Sequence, residues 1–216
     1  MRKAFPVALL ITFAALTLWA ADVSKVLDAA TAVVQNMTST HQVPPSVLEN
    51  AKCIAVIPKL TKAGFIIGGK HGNGVVSYRT GDSWSAPAFI ALTGGSVGLQ
   101  AGGEHQDIIL LMNDQGKQEL SNGHWELGAE AVAAGPTGQS AGTEENTGWK
   151  APVLSYTQSS GAFAGADLGG SKISVDNDMI HNLYGSKTTL LSILNGETPA
   201  TSSAQPFLDA VQAAVK

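Results

Sequence analysis

Apolar residues recur at helical spacing in the segment 22–50, which precedes the first glycine of the chain. The residues that share this face are Val23, Val26, Leu27, Ala30, Val33, Val34 and Met37. Such a period is typical of an amphipathic helix with one buried face. Asp22 suits the N-cap position, and Pro44-Pro45 ends the pattern. The sequence therefore predicts an N-terminal helix that packs on the rest of the domain.

The middle of the chain alternates short apolar runs with Gly, Asn and Asp, which is typical of strands joined by tight turns. The predicted strands are 52–57, 64–71, 74–80, 86–92, 96–102, 107–113, 126–134, 152–158 and 162–168. Several contain glycine, as in Gly94-Gly95, and interior glycines indicate sharp bending or close approach. We expect a strongly curved antiparallel sheet or a barrel, with a polar loop at 135–150.

Three further segments, 177–184, 187–194 and 205–215, have helical patterns, and Asp176 is suited to cap the first of them. All 24 glycines lie between Gly64 and Gly196, which separates a helical head and tail from a glycine-rich body. The expected fold class is α+β. We divide the chain into a leader at 1–21, a helical segment at 22–50, a β-rich body at 51–195, and a linker with a C-terminal helix at 196–216.

The leader has the layout of a secretory signal peptide. Met1-Arg2-Lys3 form a short basic head, an apolar run covers 4–19, and Ala20 and Ala21 end it. A retained membrane anchor is the weaker alternative, because a spanning helix needs about 20 apolar residues. We expect cleavage after Ala20 or Ala21 and a periplasmic or secreted location.

Composition excludes several classes of function. The formal charge is −4, and loss of Arg2 and Lys3 with the leader lowers it to −6. Nucleic-acid binding is therefore not expected, because it depends on net positive charge. The single cysteine, Cys53, lies in an apolar run and excludes an internal disulfide. We expect Cys53 to be a small core residue rather than a nucleophile.

An ordered series of short motifs runs through the body. In chain order these are Ile57-Pro58, Lys62-Ala63-Gly64-Phe65, Gly68-Gly69, Gly72, Gly74, Trp84-Ser85-Ala86-Pro87-Ala88-Phe89, Gly94-Gly95-Ser96-Val97-Gly98-Leu99-Gln100-Ala101-Gly102, Asp107, Gly135-Pro136, Ser155-Tyr156, Gly161-Ala162-Phe163-Ala164-Gly165, Leu168, Gly170 and Tyr184-Gly185. Over residues 50–195 the series resembles the SYLF domain family of lipid-binding modules. The leader fits a secreted bacterial member.

The resemblance implies a non-catalytic module that binds membrane lipid. Eukaryotic members of the family bind phosphoinositides, and some engage actin. Their basic N-terminal segment is not matched here, because 22–50 holds one lysine, Lys25, against Asp22, Asp28 and Glu49. The resemblance therefore implies an anionic phospholipid or membrane surface as partner, with the individual lipid left open.

Charge is segregated along the body. Residues 50–81 carry five cations and no acid, whereas 82–148 carry nine acids and one lysine. Asn73-Gly74 is a strong two-residue hairpin signal, and a turn there would place Lys70 and Arg79 as neighbours on one face. An anion such as a lipid phosphate could then lie between them. The alternative is that these charges are solvated or paired with acids of 82–148.

The candidate lipid-binding residues are thus Lys59, Lys62, Lys70 and Arg79. A periplasmic structural or protein-interaction domain, using the acidic half, is the alternative function. A hydrolase using Glu104, His105 and Asp107 is a weaker third hypothesis, because no nucleophile accompanies them. The histidines lack zinc-ligand spacing, so we expect no metal site and no cofactor.

Overall fold

The computed structural model describes residues 8–64, 67–97, 104–135, 151–159, 162–163 and 168–215. The helices are α1 (Ala8–Ser39), α2 (Pro45–Asn50), α3 (Asp114–Ser121), α4 (Asn177–Tyr184), α5 (Leu190–Leu194) and α6 (Gln205–Ala214), with a 3-10 turn at Ala129–Ala131. The strands are β1 (Cys53–Gly64), β2 (Ile67–Thr80), β3 (Ser83–Trp84), β4 (Ala88–Val97), β5 (Glu104–Met112), β6 (His124–Leu127), β7 (Val132–Ala134), β8 (Val153–Ser159), β9 (Ala162–Phe163) and β10 (Ser171–Val175).

The predicted N-terminal helix is confirmed, but it begins earlier than expected. Helix α1 is continuous through Asp22, so the prediction that Asp22 is its N-cap is wrong. Alanine and leucine are frequent before Asp22 and favour helix, which lets the helix continue. The predicted apolar face is buried, with Val26 only partly covered. Pro45 starts α2, which confirms the break at Pro44-Pro45.

The strands form one sheet in the order β6-β10-β4-β2-β1-β5-β8-β7, with β3 and β9 attached to β2 and β8. The pairings are antiparallel except for β7 with β8. The sheet curls into a half-barrel, so the predicted α+β class with a strongly curved sheet is confirmed. Helix α1 packs against β1, β2 and β5 and against α6.

Two glycines of β2 permit this curl. A Cβ on Gly74 would collide with the carbonyl oxygen of Val56, and a Cβ on Gly72 would lie 2.8 Å from Cγ2 of Ile57. Strands β1 and β4, the neighbours of β2, also approach each other. We call the face that carries Gly72, Gly74 and Tyr78 the inner face, and the opposite one the outer face.

The predicted turn at Asn73-Gly74 is wrong. The predicted strands 64–71 and 74–80 are joined into the single strand β2, in which Asn73 pairs with Ala91 of β4. The hairpin instead links β1 to β2, where Gly64 stands opposite Gly68. Glycine at 72 and 74 serves close strand approach rather than a turn, which explains why the hairpin signal failed.

Other strand predictions needed adjustment. Strand β5 begins at Glu104 rather than at 107, and the predicted strand 126–134 is split into β6, the 3-10 turn and β7. Helix α3 and strand β10 were not predicted. Three predictions lie partly outside the described residues. These are the strand 96–102 beyond Val97, the strand 162–168 over 164–167, and the loop 135–150 over 136–150.

The helical tail is confirmed with shorter elements. The Asp176 carboxylate accepts a hydrogen bond from the Met179 backbone N–H at 3.0 Å, so Asp176 caps α4 as predicted. Helix α5 begins at Leu190 rather than at 187, after a capping box at Thr189. Helix α6 buries Phe207 against the rest of the domain.

The core includes Cys53, as predicted. Its side chain is fully buried, and burial raises the pKa of the thiol well above its usual value. A thiol that remains protonated is a poor nucleophile.

Within the described part of the chain, no helix combines the length and apolar character needed to cross a membrane.

Arg79 joins β2 to the end of α2. Its Nε donates a hydrogen bond to the Ala51 carbonyl and its Nη2 donates to the Leu48 carbonyl, both at 2.9 Å. The guanidinium also lies 4.4 Å from the centre of the Trp84 ring. Partial burial lowers the pKa of Arg79, while Glu49 and Asp82 act in the opposite direction. These contacts satisfy carbonyl groups at the end of a helix.

We therefore predict that Arg79→Met destabilises the fold by about 1–3 kcal/mol, because two hydrogen bonds from a charged donor are lost. Lys52→Met is the matched control, because the Lys52 side chain is exposed and adjacent in space. Chemical denaturation of both variants measures the difference. Equal free energies of unfolding for the two variants would contradict the capping role.

Candidate functional site

A row of polar positions crosses the inner face near the end of β1 and β2. Lys62 of β1 stands directly opposite Lys70 of β2 on one side and Glu104 of β5 on the other. Lys70 is also opposite Gly94 of β4, which in turn faces Ser171 of β10. Residues that pair directly across strands point to the same face. The row thus places the two lysines side by side on one face of the sheet.

Gly94 makes room for Lys70. A Cβ on Gly94 would lie 2.7 Å from Cε of Lys70 and 3.1 Å from Oγ of Ser171. The Lys70 side chain is only 5% exposed, and Ser171 is fully buried. Among the described residues, the Ser171 hydroxyl has no hydrogen-bond partner. Two polar groups therefore converge above Gly94.

Lys59 lies at an irregularity in β1. The β1–β5 register shifts between Ile57 and Leu60, and Lys59 has a positive φ of 54°. Its backbone N–H donates to Oδ1 of Asp107 at 2.9 Å, which satisfies a donor that the ladder leaves unpaired. The Lys59 side chain itself is exposed.

The structure brings three of the four predicted lipid-binding residues together. Lys59, Lys62 and Lys70 lie at one end of the sheet, which we call the lysine end. Arg79 lies at the other end of β2, roughly 30 Å away along an extended strand. It is also on the opposite face from Lys70, so the predicted Lys70–Arg79 neighbour pair is wrong. Arg79 is instead held by α2.

The outer face of the lysine end is polar and exposed. One row runs from His105 of β5 through Thr61 and His71 to Thr93 of β4 and Lys172 of β10. Nδ1 of His105 and Oγ1 of Thr61 are 3.0 Å apart. Sequence reasoning missed Lys172, because β10 was not predicted as a strand. Its alternation of Ser171, Lys172 and Ile173 was the available signal.

The positions of His105 and Asp107 do not support the hydrolase hypothesis. His105 and Asp107 share the outer face of β5. Asp107 accepts from the Lys59 backbone and His105 contacts Thr61, so neither is oriented by the other. No group of three metal-ligating side chains occurs within the described residues.

The acidic segment does not form one surface. Strand β5, with Asp107, lies in the middle of the sheet beside the lysine-bearing β1. Helix α3, with Asp114 and Glu119, follows it, and Glu126 lies on the edge strand β6. The charge segregation along the sequence is therefore only partly retained in space.

A separate open groove lies between α1 and α6. It has a volume of about 720 Å³ and is lined mainly by small or apolar groups, among them Pro45, Pro206 and Ala210. Asp209 is the charged residue in its lining. None of the lysines of the lysine end lines this groove.

Comparison with known proteins identifies the family. The model of the Ysc84 family, described as Las17-binding protein actin regulator, matches residues 93–214, which is more than half of the chain. Protein YSC84 of Saccharomyces cerevisiae is 35% identical over 191 residues, covering 86% of this chain and 41% of the relative. LAS seventeen-binding protein 3 of the same yeast is 36% identical over 171 residues, covering 76% and 37%.

A human relative, SH3 domain-containing YSC84-like protein 1, is 29% identical over 190 residues, covering 86% of this chain and 55% of the relative. The chain thus spans between about two fifths and just over half of the length of these relatives. The resemblance expected from the ordered glycine motifs is confirmed, and the chain belongs to the SYLF family, to which the Ysc84 model corresponds.

Proposed function

We propose that this protein is a non-catalytic module that binds anionic phospholipid headgroups at the lysine end of its sheet. The observation that carries the proposal is the direct cross-strand pairing of Lys62 with Lys70. Like charges in this arrangement destabilise a sheet. An anion at this end of the sheet would lower the electrostatic cost of holding two lysines side by side.

The exposure of lysine side chains at this end of the sheet supports contact with a lipid surface. Lys59 is exposed, Lys62 is half-buried, and Lys172 is exposed on the outer face at the same end. Cations near an anionic bilayer each contribute about 1 kcal/mol to binding. A few lysines presented at one end of a rigid sheet therefore suffice for reversible membrane association, without a basic amphipathic helix.

We also propose that the protein acts in the cell envelope after removal of residues 1–21. The support is the basic head, apolar run and Ala20-Ala21 of the leader. Cleavage there would leave Asp22 in the first turn of α1, where a carboxylate favourably meets the positive end of the helix dipole. Intact mass measurement of the exported protein should give a chain that begins at Ala21 or Asp22. A mass that includes Met1 would contradict the leader.

Protein interaction is the second candidate function. Relatives are named for binding Las17, a protein, and the matched family is described as actin regulators. For this chain, the groove between α1 and α6 would be the available surface. Unlike lipid binding at the lysine end, binding in this groove would not depend on Lys59 or Lys62.

The lipid proposal predicts that Lys59→Gln/Lys62→Gln weakens partitioning onto phosphatidylglycerol vesicles by about 30-fold, since two lysines contribute about 2 kcal/mol. Vesicle co-sedimentation measures the change, and binding of the wild type should fade as salt is raised. Lys52→Gln/Lys187→Gln is the matched control, with the same net charge and both changes at exposed lysines away from the lysine end.

Equal losses in the two double variants would show a dependence on net charge alone and contradict a localised site. A wild-type protein that binds no vesicle would overturn the lipid proposal and leave protein interaction as the proposed function.

A further inference from the structure

Strand β1 carries a bulge at Pro58 and Lys59, close to the lysine end. Between the paired residues Ile57 and Leu60, both Pro58 and Lys59 stand opposite the single residue Asp107 of β5. The register with β2 shifts over the same stretch. Two residues against one form a β-bulge, and bulges redirect side chains at the rims of curved sheets. We call residues 58 and 59 the β1 bulge.

The backbone of Lys59 is held in a conformation that lysine rarely adopts. Its φ of 54° lies in the left-handed region, where the Cβ of an L-residue crowds the neighbouring carbonyl oxygen. Glycine adopts this conformation without that cost. Strained positions of this kind persist where surrounding contacts fix the backbone, and they cluster at functional sites.

Two side chains fix the backbone of Lys59. The Lys59 N–H donates to Oδ1 of Asp107 at 2.9 Å, and the Thr61 hydroxyl donates to the Lys59 carbonyl at 3.2 Å. Oγ1 of Thr61 also lies 3.0 Å from Nδ1 of His105 on β5. The N–H and the carbonyl of Lys59 thus each have a side-chain partner, which makes the bulge a fixed part of the fold.

Asp107 bonds the backbone of Lys59 and leaves its charge available. Within the described part of the chain, the Lys59 ammonium has no carboxylate within 4 Å, and the side chain is exposed. A carboxylate paired with this ammonium would compete with an external anion for it. The acid instead accepts a backbone hydrogen bond, so its negative charge has a structural use beside a cation that remains accessible.

We propose that Asp107, assisted by Thr61, is a positioning residue that holds the β1 bulge so that Lys59 projects from the sheet toward an anionic headgroup. The proposal rests on the lipid-binding function proposed above and adds two residues that act through Lys59 rather than on the lipid. Without these hydrogen bonds the backbone of Lys59 would relax from the left-handed region, and the base of its side chain would turn with it. Lys59 would then no longer reach the surface together with Lys62.

The test compares Asp107→Asn with Asp107→Ala. Both remove one negative charge, but the asparagine side-chain oxygen can still accept the hydrogen bond from the Lys59 N–H. Removal of an acid favours contact with anionic phosphatidylglycerol vesicles, so Asp107→Asn should bind at least as well as the wild type. Asp107→Ala should bind about fivefold less than Asp107→Asn, the loss expected when one lysine no longer reaches the surface.

The same two changes in a Lys59→Gln background separate positioning from stability. If Asp107 acts through Lys59, the asparagine and alanine variants should bind equally once the lysine charge is absent. A general loosening of the fold would lower binding in both backgrounds. Melting temperatures of all variants are measured, so that binding is compared between folded proteins.

Thr61→Val is the second variant. It removes the hydroxyl that donates to the Lys59 carbonyl, keeps the net charge and introduces a residue favoured in strands. Its partitioning onto the same vesicles should fall below that of the wild type when Lys59 is present. In the Lys59→Gln background, Thr61→Val should have no effect.

Each outcome decides the proposal. Weaker binding of Asp107→Ala than of Asp107→Asn, seen only when Lys59 is present, supports the positioning role. Equal binding of the two variants beside Lys59 overturns it while leaving the lysine-end function in place. A difference that persists in the Lys59→Gln background also overturns it, because Asp107 then acts on something other than Lys59. If Asp107→Ala does not fold, the Thr61→Val comparison decides by the same criteria. A wild type that binds no vesicle overturns both proposals.

Discussion

The architecture depends on how closely β1 and β4 approach each other over the side-chain-free centre of β2. Gly72 and Gly74 leave no Cβ on the inner face, and the backbone and side chains of Val56 and Ile57 occupy the space. Protein interiors tolerate little overlap, so any side chain at these positions would push the strands apart and flatten the sheet. The curl encloses the inner-face core and sets the positions of Lys62, Lys70 and Gly94 at the sheet end.

Arg79 and the three lysines of the lysine end have different environments and therefore different roles. Arg79 is used internally, where its planar guanidinium bonds two helix-terminal carbonyls and lies over Trp84. Lys70 extends over Gly94 in a nearly buried position, whereas Lys59 and Lys62 are the accessible charges. Arg79 and the lysines thus differ in role although they lie close in the sequence. The alternation of side chains along β2 puts Arg79 and Lys70 on opposite faces, and the length of β2 puts them at opposite ends of the sheet. Removal of Arg79 should therefore lower the stability of the fold, whereas removal of the accessible lysines should weaken lipid binding.

Much of the fold was predictable because apolar periodicity survives in the final structure. The buried face of α1, the cap at Asp176 and the buried Cys53 follow from local patterns. Helix α3 was missed because it buries few apolar side chains, chiefly Leu120, and depends on its Asn113 cap. Strand β10 was missed because its alternation of polar and apolar residues is short and has only two apolar members, Ile173 and Val175.

The candidate site was less predictable than the fold. Asn73-Gly74 has the composition of a turn, but the close approach of β1 overrides that local preference. The placement of Lys62 between Lys70 and Glu104 depends on pairing between strands distant in the sequence, which no local pattern fixes.

The most direct test of the account is to find which end of the sheet faces the bilayer. An environment-sensitive fluorophore attached at Thr93→Cys would report on the lysine end, and one at Ser83→Cys on the opposite end, with buried Cys53 protected from labelling. On addition of phosphatidylglycerol vesicles, the account predicts a blue shift and quenching by lipid-borne quenchers at position 93 and no change at position 83. A response at position 83 without one at position 93 would contradict it.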